Sequence, residues 1–273
     1  MSTTLDGRIA LVTGAGRGLG REAALSLAQS GAQLALVARS ADQLQHTADL
    51  IAERGGSAIA IAADISTAAG VESAKSAVED RLGAPHILVN AAGVFGPLET
   101  IAAGVPERWI DTLTINTIGP YRMCRALAAG MVTHGWGRII NYSSAASLHP
   151  PGPLVSAYAT SKVALNQFTR HLATELAGSG VTANVIHPGD VKTAMWADIR
   201  DEAENLGPEG DNYRSWVKWV DETGGDPPAK AADLVLELAA DKAAGTTGQF
   251  LWIADGLQAP IKSWDPPEDA RPW

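Results

Sequence analysis

A tyrosine and a lysine one helical turn apart could do acid–base chemistry in this chain. Tyr158 and Lys162 lie four residues apart in a segment that reads as helix, so their side chains share one helix face. A free tyrosine titrates with a pKa of about 10, and a neighbouring ammonium favours the phenolate. Ser143 and Ser144 follow an apolar strand just upstream and could reach the same face. Because this spacing recurs by chance in many helices, its meaning depends on the elements around it.

A glycine-rich loop near the start of the chain could hold a phosphate. The apolar run 9–12 leads into TGAGRGLG at 13–20 and then into a predicted helix. Glycines let the backbone turn tightly and bring a pyrophosphate close to the free N–H groups of a helix N-terminus. The strict fingerprint Gly-x-Gly-x-x-Gly is not met, because Leu19 takes the place of its last glycine. The pattern Gly14-x-x-x-Gly18-x-Gly20 after a first strand still predicts a dinucleotide site.

The end of the second strand indicates which dinucleotide is bound. Chains that bind NAD carry an acid here, about 20 residues past the glycines, to hold the ribose hydroxyls. This chain has Ala38 followed by Arg39 and Ser40, and Arg17 approaches from the glycine loop. Two guanidinium groups and a hydroxyl suit a 2′-phosphate, so NADP(H) is predicted over NAD(H). Asp64, after the third strand, is placed to accept a hydrogen bond from the adenine amine, with capping of the next helix as its alternative role.

Short apolar runs alternate with amphipathic segments along most of the chain. Continuous apolar strands indicate a sheet that is buried on both faces. Strand–helix alternation from end to end predicts an α/β fold with a doubly wound parallel sheet, helices on both faces and a single domain, 1–256. The predicted strands are 9–12, 34–38, 58–62, 87–89, 139–142, 181–186 and 250–253; the predicted helices are 18–30, 41–54, 68–82, 106–134, 156–177 and 229–240.

Two segments stand outside this alternation. Residues 194–225 read as irregular, exceed a normal connection in length and contain Trp196, Trp216 and Trp219, so they predict a lid over the substrate site. Residues 257–273 contain four prolines and two tryptophans and predict an extended arm on the surface or on a neighbouring subunit.

Composition excludes several classes of protein. The 273 residues carry a net charge of −9 without a block of basic residues, so no nucleic-acid partner is expected. No run approaches the roughly 20 apolar residues of a membrane span, and the first residues do not read as a signal peptide. The single Cys124 fits a reducing compartment, and a cytoplasmic location is expected. His149 and His187 lack partners at ligand spacing, so no metal is predicted.

Taken together, these motifs resemble the short-chain dehydrogenase/reductase family over about 7–256. The resemblance implies a Rossmann-type fold with a seven-stranded parallel sheet, an NAD(P)-dependent oxidoreductase acting on an alcohol or carbonyl, and a homo-oligomer, often a tetramer. The matching motifs are TGAGRGLG at 13–20, Asp64-Ile65, NAAG at 90–93, Trp109 and Asn116, NYSS at 141–144, YATSK at 158–162, HPGDVKT at 187–193 and TTGQFLWIADG at 246–256.

The resemblance also implies roles for individual residues. Tyr158 would be the general acid/base, Lys162 would lower its pKa and bind the nicotinamide ribose, Ser144 would bond the substrate oxygen, and Asn116 would hold a water in a proton relay. The family serine stands thirteen residues before the tyrosine, where this chain has Ala145, so Ser143 and Ser147 remain alternatives to Ser144. The implied cofactor residues are Gly14, Gly16, Arg17, Gly18, Leu19, Gly20, Arg39, Ser40, Asp64, Ile65, Asn90, Ala91, Gly93, Tyr158, Lys162, Pro188, Gly189, Val191 and Thr193.

The substrate is predicted to be a hydrophobic or cyclic carbonyl compound, reduced by a carbonyl reductase. An acid-rich stretch at 198–211 weighs against a 3-oxoacyl thioester on a carrier protein, which remains an alternative. The sequence also leaves open an NAD-dependent alcohol dehydrogenase, a dehydratase or epimerase, and a non-catalytic NADP(H)-binding regulator; the presence of Asn, Ser, Tyr and Lys together argues against the regulator. The predicted substrate residues are Phe95, Ser144, Leu154, Tyr158, Gly189 and Trp196.

Overall fold

Seven parallel strands form one sheet in the computed structural model, which describes residues 4–254 and 256. Their order is β3-β2-β1-β4-β5-β6-β7, and this confirms the predicted doubly wound arrangement. The order reverses between β1 and β4, and ligands of such sheets bind in the crevice at the carboxyl ends of the strands there. The strands are β1 (Ile9–Thr13), β2 (Gln33–Ala38), β3 (Ser57–Ala62), β4 (Ile87–Asn90), β5 (Gly137–Tyr142), β6 (Val181–His187) and β7 (Phe250–Trp252).

Helices cover both faces of the sheet and bury two separate cores. On β1, Ala10 and Val12 face a core shared with α1, α2 and α9, whereas Ile9 and Leu11 face a core shared with α3, α5 and α6. Burial of a side chain the size of valine or leucine contributes about 1.5–3 kcal/mol, so continuous apolar strands favour this layering. The helices are α1 (Gly18–Gln29), α2 (Ala41–Glu53), α3 (Ala68–Arg81), α4 (Pro106–Leu113), α5 (Gly119–Thr133), α6 (Ser156–Glu175), α7 (Ala194–Glu204), α8 (Asp211–Thr223) and α9 (Pro228–Ala239).

The single helix predicted at 106–134 is interrupted in the structure. Between α4 and α5, Thr114–Ile118 forms a π-helical stretch that contains Asn116. Pro120 follows at the start of α5; it has no N–H to give to the preceding turn, and its ring crowds the carbonyl four residues earlier. Widening of the turn before the proline accommodates both effects.

The prediction that 194–225 is irregular was wrong. Most of this segment forms α7 and α8, joined through a short 3₁₀ turn at Pro208–Gly210. Trp196, Ile199 and Ala203 of α7 are spaced as one helical face and pack against Val217 and Val220 of α8. The apolar period of a helix was therefore present in the sequence. We call α7, α8 and the turn between them the α7–α8 hairpin.

Two further expectations concern the whole chain. Among the helices of the described residues, none is both long and apolar enough to cross a membrane. The predicted arm at 257–273 lies outside the described residues.

Candidate active site

The predicted acid–base pair lies on α6 where this helix crosses the carboxyl end of β5. Both side chains are buried, with Tyr158 9% and Lys162 5% exposed. Lys162 Nζ donates to the carbonyl oxygen of Tyr142, the last residue of β5, at 2.8 Å. The same Nζ is 5.6 Å from the centroid of the Tyr158 ring, against which the Phe95 ring packs with a centroid distance of 4.6 Å. The strand end thus holds the ammonium beside the phenol.

Burial determines the protonation of this pair. It raises the pKa of Tyr158 to about 12, and the nearby Asp190 carboxylate acts in the same direction, whereas a hydrogen bond with the Ser144 side chain acts against them. Burial also lowers the pKa of Lys162 to about 8. Of these groups, only the Ser144 hydroxyl lowers the pKa of Tyr158. The phenol is held protonated, as a proton donor requires.

Ser144 is the serine that the fold brings to the phenol. It follows β5 and caps a 3₁₀ turn at Ala145–Ser147, with its Oγ accepting a hydrogen bond from the Ala146 N–H at 3.2 Å. The two alternative serines are directed elsewhere: Ser143 Oγ donates to Asn166 Oδ1 at 2.5 Å, and Ser147 Oγ donates to the Ser144 carbonyl oxygen at 2.6 Å. The residue spacing left these three open, and the turn geometry separates them.

Asn116 is fully buried and bonds the strand-end loop after β4. Its Nδ2 donates to the Val94 carbonyl oxygen at 2.8 Å and to Ser161 Oγ at 3.0 Å, and its Oδ1 accepts from the Val94 N–H at 2.9 Å. A Cβ on Gly93 would lie 3.2 Å from Asn116 Oδ1 and 3.7 Å from Lys162 Nζ. The amide and the ammonium therefore face the same glycine. The water relay through Lys162 stays a prediction.

A cavity of about 530 Å³ runs from the glycine loop to Tyr158 and Lys162 along the carboxyl ends of the strands. Three predicted cofactor residues lie away from its lining in the described chain: Asn90 donates to Asn141 Oδ1 at 2.8 Å, Gly189 packs on Asp226, and Val191 is buried. The predicted residues that do line it are Gly14, Gly16, Arg17, Gly18, Leu19, Gly20, Arg39, Ser40, Asp64, Ile65, Ala91, Gly93, Tyr158, Lys162, Pro188 and Thr193.

The glycine loop fits a dinucleotide. Gly14 has φ +69°, and a Cβ there would lie 2.8 Å from the Ala92 backbone; a Cβ on Gly20 would lie 2.4 Å from the Gly14 carbonyl oxygen. Within the described residues, no side chain caps the start of α1, and its first turn has no acidic residue. The first N–H groups of α1 therefore remain for an anion, and no carboxylate on that turn opposes it.

Two residues that the sequence reasoning missed brace this loop. Arg21 donates from Nε to Thr47 Oγ1 at 3.0 Å and from its guanidinium to the Gly16 carbonyl oxygen. Thr47, fully buried on α2, donates to the Ala15 carbonyl oxygen at 3.0 Å. Their positions, 21 and 47, are too far apart along the chain for any local pattern to pair them. In the sequence, Thr47 is a polar residue between Leu44 and Ile51 on the apolar face of α2, and this position is the one indication that it bonds something buried.

The far end of the cavity carries the residues predicted to select the nucleotide. Arg17 and Arg39 are both exposed at its edge. The pKa of Asp64 is lowered, chiefly by hydrogen bonding to Ser66 and further by the charge of Arg39. Thr67, rather than Asp64, caps α3 by accepting from the Gly70 N–H at 3.0 Å. Asp64 is thus an ionised acceptor within the influence of the Arg39 charge.

A second cavity of about 310 Å³ lies beside the first, between the α7–α8 hairpin and α4. Phe95, Met195 and Ile199 give it an apolar side, while Asp198 and Glu202 stand among its charged residues. Leu154 and Trp196 pack within the apolar cluster of the hairpin, and their contact with substrate stays a prediction. Leu154 has φ +68°, an uncommon backbone for leucine. The hairpin thus contributes apolar residues to the wall of the second cavity.

The family follows from a direct comparison. A family model described as short chain dehydrogenase matches residues 8–204, which is well over half of the chain. The chain belongs to the short-chain dehydrogenase/reductase family. As a member of this family it is an oxidoreductase that uses a nicotinamide cofactor on small-molecule alcohol or carbonyl substrates.

Similar proteins within the family include reductases and dehydrogenases. The chain is 35% identical to the short-chain reductase protein NovJ of Streptomyces niveus over 91% of this chain and 93% of the relative. It is 36% identical to a galactitol 2-dehydrogenase (L-tagatose-forming) of Cereibacter sphaeroides over 92% and 95%. Among solved structures, a variant of an actinorhodin polyketide ketoreductase with NADPH superposes with a TM-score of 0.83, at 31% identity over 94% of this chain and 99% of that one.

Proposed function

We propose that this oxidoreductase is an NADP(H)-dependent carbonyl reductase acting on a hydrophobic or cyclic substrate. The observation that carries the proposal is the Tyr158 phenol, kept protonated by burial and hydrogen-bonded to Ser144, at one end of a cavity whose other end carries Arg17 and Arg39. A protonated donor beside a second hydroxyl suits reduction of a carbonyl. NADPH, when bound, supplies the hydride for the carbonyl carbon.

The chain's own residues would supply binding and the proton. The glycine loop and the start of α1 would hold the pyrophosphate. Ser144 and Tyr158 would both bond the carbonyl oxygen, and Tyr158 would give it the proton that balances the hydride at carbon. Lys162, fixed to the carbonyl oxygen of Tyr142, would stabilise the phenolate that is left. Asn116 would support the return of a proton through Lys162.

The surroundings of the catalytic pair support an apolar substrate. Phe95 packs on the Tyr158 ring and lines the second cavity together with Met195 and Ile199. The charged residues of this second cavity have both signs, since Arg17 and Arg108 line it with Asp111, Asp198 and Glu202, and Arg108 pairs with Glu202 at 3.4 Å. The apolar residues, rather than a net negative charge, therefore support a neutral substrate. The α7–α8 hairpin would act as the lid.

The proposal is tested by steady-state consumption of NADPH with a panel of neutral cyclic and aromatic ketones, alongside acetoacetyl-CoA. Turnover of neutral ketones above the thioester, with NADPH preferred to NADH, is the expected result. Turnover confined to the thioester would overturn the substrate class. Failure to bind either nucleotide would overturn the cofactor.

We expect Arg39→Ala to weaken NADPH binding by roughly 10- to 100-fold, because hydrogen bonds to a charged group contribute about 1.5–3 kcal/mol. NADH lacks the 2′-phosphate, so its affinity should change by less than about twofold on the same argument. Titrations that follow nicotinamide fluorescence measure both values. Arg54→Ala, another exposed arginine at the end of α2, is the matched control and should leave both affinities unchanged. Equal loss for both nucleotides would contradict a 2′-phosphate contact.

The chain also has a surface suited to the homo-oligomer that we propose. Tyr121 and Val132 of α5 are 44% and 43% exposed, and Val163 of α6 is 50% exposed. The two helices lie side by side, with the Tyr121 and Phe168 rings 5.7 Å apart between centroids. Val163→Glu should therefore shift the assembly toward the monomer, since an unpaired charge is costly in a buried interface. Sedimentation velocity measures the shift. An unchanged mass distribution would place the interface elsewhere.

A further inference from the structure

The helix that carries the catalytic pair carries a third polar side chain on the same stripe. Asn166 lies one turn beyond Lys162 and is 4% exposed. Its carboxamide bonds the turn after β5 on both sides of Ser144: Ser143 Oγ donates to Asn166 Oδ1 at 2.5 Å, and Asn166 Nδ2 donates to Ser147 Oγ at 2.8 Å. One side chain thus connects α6 to both flanks of the residue that faces the phenol.

The connection reaches Ser144 through its own backbone. Ser147 Oγ donates to the Ser144 carbonyl oxygen at 2.6 Å, while Ser144 Oγ accepts from the Ala146 N–H at 3.2 Å. Hydrogen bonds therefore run without a break from Asn166 through Ser147 to Ser144. The far end of this chain of bonds is the Tyr158 phenol, which belongs to the same helix as Asn166.

We propose that Asn166 is a positioning residue that fixes Ser144 against Tyr158 in the proposed carbonyl reduction. A carboxamide has a donor end and an acceptor end, so it can serve two hydroxyl groups at once. Leucine has nearly the same shape and can do neither. Aspartate would keep the acceptor for Ser143, lose the donor to Ser147 and place a charge in a buried site. The inference rests on the proposed function for the identity of the reacting groups.

A second buried asparagine separates positioning from plain stability. Asn184 of β6 is 1% exposed and also uses both ends of its amide, donating to the Thr246 carbonyl oxygen at 2.7 Å and accepting from the Gln249 N–H at 3.1 Å. Its bonds join β6 to the segment before β7, away from the serine turn. Asn184→Leu therefore removes a comparable buried network and leaves Ser144 untouched.

The kinetic experiment compares Asn166→Leu with Asn184→Leu in reduction of the best neutral ketone. Asn166→Leu should lower kcat by roughly 10- to 100-fold, as a displaced catalytic group does, with little change in KM. Asn184→Leu should keep kcat within about twofold, because distant sites act independently. In a Ser144→Ala background, Asn166→Leu should lower kcat by less than about threefold more, since the hydroxyl that it positions is gone. Fully additive losses would overturn the proposal.

Hydrogen exchange of the turn gives a readout that does not depend on turnover. The amides of Ala145 and Ala146 should exchange at least about tenfold faster in Asn166→Leu and stay protected in Asn184→Leu, because local opening exposes them. Unchanged exchange would show that Asn166 does not hold the turn. If the unaltered enzyme reduces no ketone, the proposed function fails while exchange still reports on the turn. Should Asn166→Leu not fold, Ser147→Ala breaks the same chain of bonds and is subject to the same comparison.

Discussion

Replacing Tyr158 by phenylalanine should lower kcat for ketone reduction by about 10²- to 10⁴-fold, the range of a positioned general acid. The substitution removes one oxygen atom and keeps the ring that packs on Phe95, so the site should retain its shape. Loss of a buried hydroxyl that bonds Ser144 leaves the rest of the cavity lining in place. NADPH affinity should therefore change far less than kcat. Single-turnover measurements with NADPH separate the two quantities.

Tyr213→Phe is a suitable control for the same chemical change. Tyr213 belongs to the α7–α8 hairpin, and its phenol donates to the Pro153 carbonyl oxygen rather than facing Lys162. The kcat of Tyr213→Phe should stay within about tenfold of the parent value, since the lost hydrogen bond contributes about 1 kcal/mol. If Tyr158→Phe kept more than about a tenth of the parent kcat, the phenol would not be the proton donor, given the usual contribution of such a group.

Acidification from pH 6.5 to pH 4 should cost about 3 kcal/mol of folding stability through His187 alone. The side chain is 5% exposed, and burial lowers its pKa from 6.5 to about 4. In that interval the unfolded chain binds a proton that the native state refuses, so stability falls as the pH falls; below pH 4 both states are protonated and the contribution is lost. Asp226 opposes the shift, and His149 adds to it. The pKa of His86 is lowered as well, so it acts in the same direction.

The contribution of His187 to the free energy of unfolding is measured by denaturant unfolding of the parent and of His187→Asn at several pH values from 4 to 7. Carboxylates also titrate in this range, but they are the same in both proteins, so their contribution cancels in the difference. The stability difference between the two should shrink toward pH 4 by about 3 kcal/mol. His46→Asn, at an exposed position, should leave the profile of the parent unchanged. A constant difference between the parent and His187→Asn would contradict a neutral native His187. Activity should fall together with stability as the pH is lowered. His187 Nδ1 accepts a hydrogen bond from the Ala145 N–H at 3.1 Å, next to Ser144, and a protonated Nδ1 can no longer accept it.

Patterns among residues close together in the sequence predicted the sheet and most of the residues that line the cavity. The apolar strands, the glycine loop and the Tyr158–Lys162 spacing each depend on residues close along the chain, and the structure brings them to one edge of the sheet. The sequence of α7 also has the apolar spacing of a helix, because Trp196, Ile199 and Ala203 fall on one helical face. The length of 194–225 and its three tryptophans favoured the wrong prediction of an irregular loop.

Several features of the site depend on contacts that no local pattern contains. The distance in sequence from Tyr158 does not distinguish Ser143, Ser144 and Ser147. Which of them lies beside the phenol depends on a 3₁₀ turn and on the bonds of Asn166 from α6. The same holds for Arg21 and Thr47, which meet only after α1 and α2 pack. Asn90, predicted to line the cofactor, donates from Nδ2 to Asn141 Oδ1 of the adjacent strand, a contact that no local pattern contains.

The π-helical stretch at Thr114–Ile118 constrains the length of this part of the chain. A π turn holds one residue more than an α turn, and each residue of an α-helix turns the face by about 100°. Because the wider turn absorbs this extra residue, α4 and α5 keep nearly the faces that an uninterrupted helix would give them. Deleting one residue would restore a regular α turn, in which the ring of Pro120 would crowd the carbonyl four residues earlier, and Asn116 would lose its position against Val94. Homologues that keep a proline at this position should therefore also keep the number of residues in this segment.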